Sequence, residues 1–216
     1  MLQFITHKTA RYDEIEGAVK ALEGGCRWIQ LRMKDASVDV VEKTVRQLLP
    51  VCRQYGAKLI LDDHVDLVIP TGADGVHLGK MDLPVAEARK ILGEEYIIGA
   101  TANNYGDIIK AIKEGADYIG LGPYRYTTTK KKLSSILGLE GYHSILEKCH
   151  ANNIHIPIVA IGGITLDDIE PLKQTGILGV AVSGCVLSAD DPSDYTRKLL
   201  EALDKDSMVG GIETKL

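Results

Sequence analysis

Short apolar runs alternate along the chain with longer stretches whose apolar residues recur at helical spacing. The apolar runs predict eight strands: Leu2–Thr6, Trp28–Arg32, Lys58–Leu61, Gly75–Leu78, Ile97–Ala100, Tyr118–Leu121, Pro157–Ile161 and Gly179–Val182. The amphipathic stretches predict eight helices: Tyr12–Glu23, Val38–Tyr55, Val65–Pro70, Leu83–Leu92, Tyr105–Glu114, Tyr142–Asn152, Leu166–Lys173 and Pro192–Ala202. Strand followed by helix eight times predicts an α/β fold, a single (β/α)8 TIM barrel with parallel strands.

Helix-end signals support this division. Gly24 and Gly25 follow the first helical stretch, where glycine commonly ends a helix. A doubly wound open sheet is the alternative fold, but it normally carries a glycine fingerprint after its first strand, and none follows residues 2–6. We therefore expect one TIM-barrel domain over residues 1–203 and a flexible C-terminal tail over residues 204–216, where the amphipathic period stops.

Composition excludes several classes of protein. The chain has 216 residues with a net charge of −5, no basic block and one Phe and one Trp, which argues against nucleic-acid partners. No apolar run approaches the roughly 20 residues that cross a bilayer, and the N-terminus lacks a signal-peptide pattern, so we expect a cytoplasmic protein. Four scattered cysteines indicate reduced core residues. A homo-oligomer stays open, because barrel helices can pack against a second copy without a sequence signature.

The end of the second predicted strand carries a polar face. Alternation along a strand places Gln30, Arg32 and Lys34 on the same side. Arginine offers a planar fork to phosphate oxygens and lysine offers a point charge, so this face suits an anion. The alternative is a solvated strand end with surface charges.

Carboxylates follow the next two strands. Asp62 and Asp63 end the third strand, and Asp82 follows the fourth, about 4.8 Å away in the strand-spacing direction. Carboxylates on neighbouring strand ends suit Mg²⁺, which leaves room in its shell for phosphate oxygens and water. The alternative is that Asp63 and Asp82 cap the helices that follow them. His64 and His77 are candidate acid–base groups, but we interpret both as structural.

The remaining strand ends carry hydroxyls and glycines. Active sites of this fold lie where strands end and loops begin, and a phosphate often binds after strands seven and eight. The residues that could bind phosphate or substrate there are Thr101, Thr127, Thr128, Thr129, Lys130, Gly163, Ser183 and Gly184. The alternatives are a solvated lysine-rich loop and glycines needed only for tight turns. Two anionic sites would serve a reaction between a diphosphate and a monophosphate substrate.

Six segments, in the same order along the chain, resemble the thiamine phosphate synthase family, also called the thiamine phosphate pyrophosphorylase family. They are residues 30–34, 61–67, 75–82, 117–123, 127–130 and 160–164. The resemblance implies a transferase of thiamine biosynthesis, which condenses hydroxymethylpyrimidine diphosphate with hydroxyethylthiazole phosphate and releases pyrophosphate. It also implies that small-molecule substrates are the partners, that Mg²⁺ is the cofactor, and that the route is dissociative, through a pyrimidine carbocation.

The resemblance also implies residue roles. Arg32, Lys34 and Lys130 would act as catalytic residues that hold pyrophosphate. Asp63 and Asp82 would bind Mg²⁺, and Asp62 would lie against the substrate. Gln30 and Thr101 would contact the pyrimidine. The thiazole phosphate would be held by Thr127, Thr129, Gly163, Ser183 and Gly184.

The chain departs from the family pattern in places. Asp62 stands where the family usually has Asn, and a carboxylate there would repel pyrophosphate unless a cation offsets it. Thr101-Ala102-Asn103 stands where a Ser-x-His pattern is frequent. Two alternatives therefore remain: a thiazole tautomerase-like paralogue, which needs neither pyrophosphate nor metal, and a non-catalytic thiamine-phosphate-binding protein.

Overall fold

The computed structural model describes residues 1–126 and 135–205, and its strands form one closed barrel. The strands are β1 Leu2–Ile5, β2 Trp28–Leu31, β3 Lys58–Asp62, β4 Gly75–Leu78, β5 Ile97–Ala102, β6 Tyr118–Leu121, β7 Ile158–Ile161 and β8 Gly179–Val182. Each pairs in parallel with the next, and β8 pairs with β1 to close the barrel. The predicted TIM barrel is confirmed, with strand ends within two residues of the predicted ones.

The helices surround the barrel. They are α1 Glu14–Glu23, α2 Val38–Gln54, α3 Val65–Thr71, α4 Val85–Leu92, α5 Tyr105–Lys113, α6 Gly138–Ala151, α7 Ile169–Lys173, α8 Gly184–Leu187 and α9 Pro192–Asp204, with a 3₁₀ turn at Leu166–Asp168. The analysis of hydrophobic periodicity missed α8, because a helix of four residues is too short to show a period. None of the helices in the described ranges is long and apolar enough to cross a membrane.

Capping side chains explain where α1 and α9 begin. The Asp13 carboxylate accepts from the Glu16 amide and the Glu16 carboxylate accepts from the Asp13 amide, which forms a capping box. Asp191 accepts from the amides of Ser193 and Asp194 at the start of α9. These local bonds set the helix starts and hence the lengths of the loops that reach the barrel mouth.

The core has two parts, because side chains alternate across each strand. Outward residues pack between barrel and helices, while a smaller inner cluster fills the barrel itself: Ile5, Trp28, Ile60, Ile97, Tyr118, Val159 and Ala181. The fully buried Tyr118 ring meets Trp28 edge to face, with centroids 4.8 Å apart. A Cβ at Gly99 would overlap the Tyr118 ring, so glycine is required there. This apolar filling closes the barrel below the mouth and leaves the polar strand ends above it.

Candidate functional site

A cavity of about 820 Å³ opens at the carboxyl ends of the strands, the end predicted to hold the site. Nine of the predicted site residues line it: Gln30, Arg32, Lys34, Asp62, Asp82, Thr101, Gly163, Ser183 and Gly184. Asp63 lies beside it and contacts Lys34. The predictions for Thr127, Thr128, Thr129 and Lys130 lie outside the described residues. The fold thus brings together residues that are up to 154 positions apart in the chain, from Gln30 to Gly184.

Lys34 forms the centre of the charged side of the cavity. Its ammonium nitrogen is hydrogen-bonded to Asp63 and lies 3.2 Å from Asp62 Oδ2 and 3.7 Å from Asp82 Oδ2. Burial disfavours the charged lysine, but the three carboxylates outweigh burial, so the pKa of Lys34 is raised. The lysine therefore stays positive and holds three carboxylates around one point.

Asp63 reaches this point because its backbone leaves the strand geometry. Its φ is 62°, in the left-handed region that Asp and Asn tolerate better than most residues. On a regular strand Asp62 and Asp63 would point to opposite faces. The left-handed turn instead lets both carboxylates contact Lys34. Such backbone strain is characteristic of functional sites.

Asp62 is nearly enclosed, with 8 % of its side chain exposed. Its Oδ1 accepts a hydrogen bond of 3.0 Å from Gln30 Nε2, and Arg32 Nε lies 3.7 Å from its Oδ2. Burial raises the pKa of Asp62, and the neighbouring Lys34 and Arg32 offset only part of that increase. Two cations thus stand beside the Asp62 carboxylate.

Asp82 lies in the loop after β4 and is hydrogen-bonded to the start of that loop. Its Oδ2 accepts from the Gly79 amide at 2.7 Å, which holds the carboxylate toward Lys34. The capping alternative is not observed, because neither α3 nor α4 has a side-chain cap. In the described ranges no three His, Cys, Asp or Glu side chains form a preformed metal cage. Mg²⁺ needs only one or two carboxylates when phosphate oxygens and water complete its shell, so Asp63 and Asp82 fit it.

Buried polar atoms without hydrogen bonds mark the cavity wall. Within residues 1–126 and 135–205 there are four such side-chain atoms, and three of them belong to cavity residues: Gln30 Oε1, Asp62 Oδ2 and Ser183 Oγ. The fourth, Trp28 Nε1, belongs to the inner core. Asp62 Oδ2 has Lys34 Nζ 3.2 Å away as an ion-pair partner. A buried polar atom without a partner costs about 1–3 kcal/mol, so Gln30 Oε1 and Ser183 Oγ point to a ligand that supplies partners.

The far side of the cavity is built by a crossing of two loops. Arg125 donates to both Asp168 carboxylate oxygens, at 2.6 and 2.7 Å, and to the Gly163 carbonyl at 3.1 Å. Gly162 and Gly163 have φ values of 101° and 70°, and a Cβ on Gly163 would overlap Arg125. These glycines therefore permit the loop after β6 to lie against the loop after β7. Sequence reasoning missed the ion pair, because its partners are 43 residues apart.

His77, which the sequence led us to interpret as structural, lies at the cavity floor. It lines the cavity, and its Nε2 lies 3.0 Å from Thr101 Oγ1. Alternation along β4 could have indicated this position, because it places His77 on the same face as Gly75 and Gly79, and Gly79 lies at the strand end. His64, by contrast, lies at the start of α3 with its Nε2 3.7 Å from Asp63 Oδ1.

Comparison with known proteins finds similar proteins of one family. A family model described as thiamine monophosphate synthase matches residues 2–186. Thiamine-phosphate synthases of Phocaeicola vulgatus and Bacteroides thetaiotaomicron are 59 % and 55 % identical over 199 residues, covering 92 % of this chain and 96 % and 95 % of theirs. The solved thiamine phosphate pyrophosphorylase of Pyrococcus furiosus is 35 % identical with a TM-score of 0.84, covering 94 % of this chain and 95 % of that one.

Proposed function

The chain belongs to the thiamine monophosphate synthase family, and we propose that it forms thiamine phosphate and pyrophosphate from hydroxymethylpyrimidine diphosphate and hydroxyethylthiazole phosphate. It is therefore a transferase. The observation that supports the site most strongly is the group of Arg32, Lys34 and three carboxylates at the mouth of one cavity. Cations can hold a diphosphate there, while carboxylates can hold its metal ion.

The reaction requires no protein nucleophile. The bond between the pyrimidine methylene carbon and the diphosphate oxygen breaks, and its electron pair leaves with pyrophosphate. The lone pair of the thiazole nitrogen then forms the new carbon–nitrogen bond to the same methylene carbon. The protein's contribution is positioning and stabilisation of the charge that develops on the leaving group.

Arg32, Lys34 and Lys130 would hold the pyrophosphate. Arg32 and Lys34 already face the cavity, with 21 % and 36 % of their side chains exposed. On substrate binding, Lys34 would exchange part of its carboxylate contacts for phosphate oxygens. The positive charge that these residues place at the leaving group would favour bond cleavage.

Asp63 and Asp82 would hold Mg²⁺, and Asp62 would remain against the substrate. When bound, Mg²⁺ supplies positive charge that complements the leaving pyrophosphate. Lys34 already provides one positive charge between these carboxylates, which supports the proposal that they attract a cation. The charge of Asp62 would be balanced by Arg32 and Lys34, so its substitution for Asn is compatible with diphosphate binding.

The two ring systems would bind on different walls. Gln30 and Thr101 would contact the pyrimidine, since both lie on the inner faces of β2 and β5 and line the cavity. The thiazole phosphate would be held by Thr127, Thr129, Gly163, Ser183 and Gly184. The buried Ser183 Oγ without a partner supports this placement, because a phosphate oxygen would satisfy it.

The test is a pyrophosphate-release assay with each substrate alone and with both, in the presence and absence of Mg²⁺. We expect release that requires both substrates and the metal, with thiamine phosphate formed. The Arg32→Ala and Asp63→Asn variants should lose most of the activity, whereas Arg46→Ala, an exposed arginine on α2, is the matched control. Thiazole phosphate isomerisation without condensation would favour the tautomerase, and tight binding without turnover would favour a binding protein.

A further inference from the structure

Four polar side chains form a continuous chain from the barrel interior to the cavity floor. Gln3 Nε2 donates to the Tyr118 hydroxyl at 3.2 Å, and that hydroxyl lies 3.0 Å from His77 Nδ1. His77 Nε2 lies 3.0 Å from Thr101 Oγ1. Gln3, Tyr118 and His77 are buried, with 2 %, 0 % and 5 % exposed, and Thr101 is the partly exposed end in the cavity.

Glycines on the neighbouring strands make room for this chain. A Cβ at Gly99 would overlap the Tyr118 ring, and a Cβ at Gly120 would come within 3.0 Å of His77 Cε1. Both glycines lie on strand faces that point into the barrel, beside Thr101 and Tyr118. Two glycines and four hydrogen-bonded polar side chains thus take the place of apolar filling at this level of the barrel.

The direction of these hydrogen bonds follows from the buried Tyr118 hydroxyl. It accepts from Gln3 Nε2, and its single hydrogen is satisfied when it is donated to His77 Nδ1. Burial raises the pKa of Tyr118, so the phenol keeps that hydrogen. An imidazole that accepts at Nδ1 carries its hydrogen on Nε2 and donates it to Thr101 Oγ1. The hydroxyl hydrogen of Thr101 is then left for a group in the cavity.

We infer that Gln3, Tyr118 and His77 are positioning residues that make the Thr101 hydroxyl a hydrogen-bond donor toward a substrate acceptor, such as a pyrimidine ring nitrogen. The inference deepens the proposed function and depends on it for the identity of the substrate. A threonine hydroxyl can otherwise donate or accept, so a fixed direction would select a ligand with a lone pair at this position. The opposite direction would suit an amino group.

The histidine tautomer tests the direction without any substrate. In the uniformly ¹⁵N-labelled full-length protein, two-bond proton–nitrogen couplings distinguish a protonated ring nitrogen from an unprotonated one. The six histidines are resolved by comparison with a His77→Gln variant. We expect Nε2 protonated and Nδ1 unprotonated in the wild type, and a mixture of tautomers in Tyr118→Phe and Gln3→Met. A wild-type Nδ1–H tautomer would overturn the inference.

Steady-state kinetics test the consequence for the substrate. Tyr118→Phe should raise the KM for the pyrimidine diphosphate about fivefold, the value of one ordinary hydrogen bond, and leave the KM for the thiazole phosphate unchanged. In a Thr101→Val background, Tyr118→Phe should not raise this KM further, because the hydrogen-bonded side chains act through the Thr101 hydroxyl. Thr101→Ser retains the hydroxyl and should rescue the KM for the pyrimidine diphosphate that Thr101→Val raises. Gln3→Met provides a second test if Tyr118→Phe does not fold.

The two readouts separate this inference from the proposed function. Thiamine phosphate formation with a wild-type Nδ1–H tautomer, or equal effects of Tyr118→Phe with and without Thr101, would refute the inference alone. The expected tautomer in a protein that forms no thiamine phosphate would refute the proposed function and leave the hydrogen-bond direction intact.

Discussion

The ion pair between Arg125 and Asp168 provides the prediction whose magnitude the structure constrains best. Arg125→Met removes two hydrogen bonds to a carboxylate that is 8 % exposed, and it keeps an unbranched stem against Gly163. Asp168 would retain the bonds from the amide and hydroxyl of Thr165, each 2.8 Å long. A buried carboxylate would therefore lose its counter-ion.

Removing one partner of a fully buried ion pair costs about 3–5 kcal/mol. The Arg125 side chain is 46 % exposed, so water can replace part of what it supplies, and we expect about half that cost, roughly 2 kcal/mol. With an unfolding entropy of about 2.1 cal/mol/K per residue, a chain of this length should melt at about 5 °C lower. The Gly163 carbonyl also loses a donor, so the KM for the thiazole phosphate should rise severalfold.

Thermal and urea unfolding of the wild type and Arg125→Met, followed by circular dichroism, measure the effect. Burial opposes ionisation of Asp168, but the bonds from Arg125 and Thr165 outweigh it and lower its pKa. A lowered pKa contributes stability above the ordinary value of 3.8 that is lost as the pH falls through the folded-state value. The difference between the two proteins should therefore be complete at pH 7 and shrink below pH 3.8.

A double-mutant cycle with Asp168→Asn is the control. The two changes together should cost less than the sum of each alone, because both remove the same pair. A melting temperature unchanged within 1 °C, or additive effects in the cycle, would show that solvent satisfies Asp168 and that the ion pair does not stabilise the loop crossing.

Three further predictions concern β3, the residue that follows it, and β5. Asp62→Asn should raise the urea midpoint at pH 7, because burial raises the pKa of Asp62; the gain should vanish below its ordinary value of 3.8, and a constant gain at all pH values would contradict this. Asp63→Ala should be about 1 kcal/mol less stable than Asp63→Asn in urea unfolding, since its φ of 62° disfavours alanine, and equal stability would exclude backbone strain. Gly99→Ala should cost about 1–3 kcal/mol by overlap with the Tyr118 ring, and an unchanged midpoint would show that the ring can move.

Hydrophobic periodicity alone was sufficient to predict the fold and many of the residues that line the cavity. Apolar runs predicted all eight strands, and alternation placed Gln30, Arg32 and Lys34 on one face, where the structure has them lining the cavity. These features are local. A few consecutive residues determine which side chains share a face of a strand and which polar residues follow its end. Parallel closure then brings all strand ends to one mouth, so the candidate residues could be gathered without knowing any contact.

Tertiary structure decided the features that depend on neighbours distant in the chain. The left-handed backbone of Asp63, which brings two adjacent carboxylates to the same lysine, has no periodic signature. The contact between Gln3 and Tyr118 spans 115 residues, and it exists because glycine leaves space across the closed barrel. The sequence by itself therefore determined which residues surround the mouth. Barrel closure and packing determined which of them touch, because a side chain's partners are set by space and burial and not by its own neighbours in the chain.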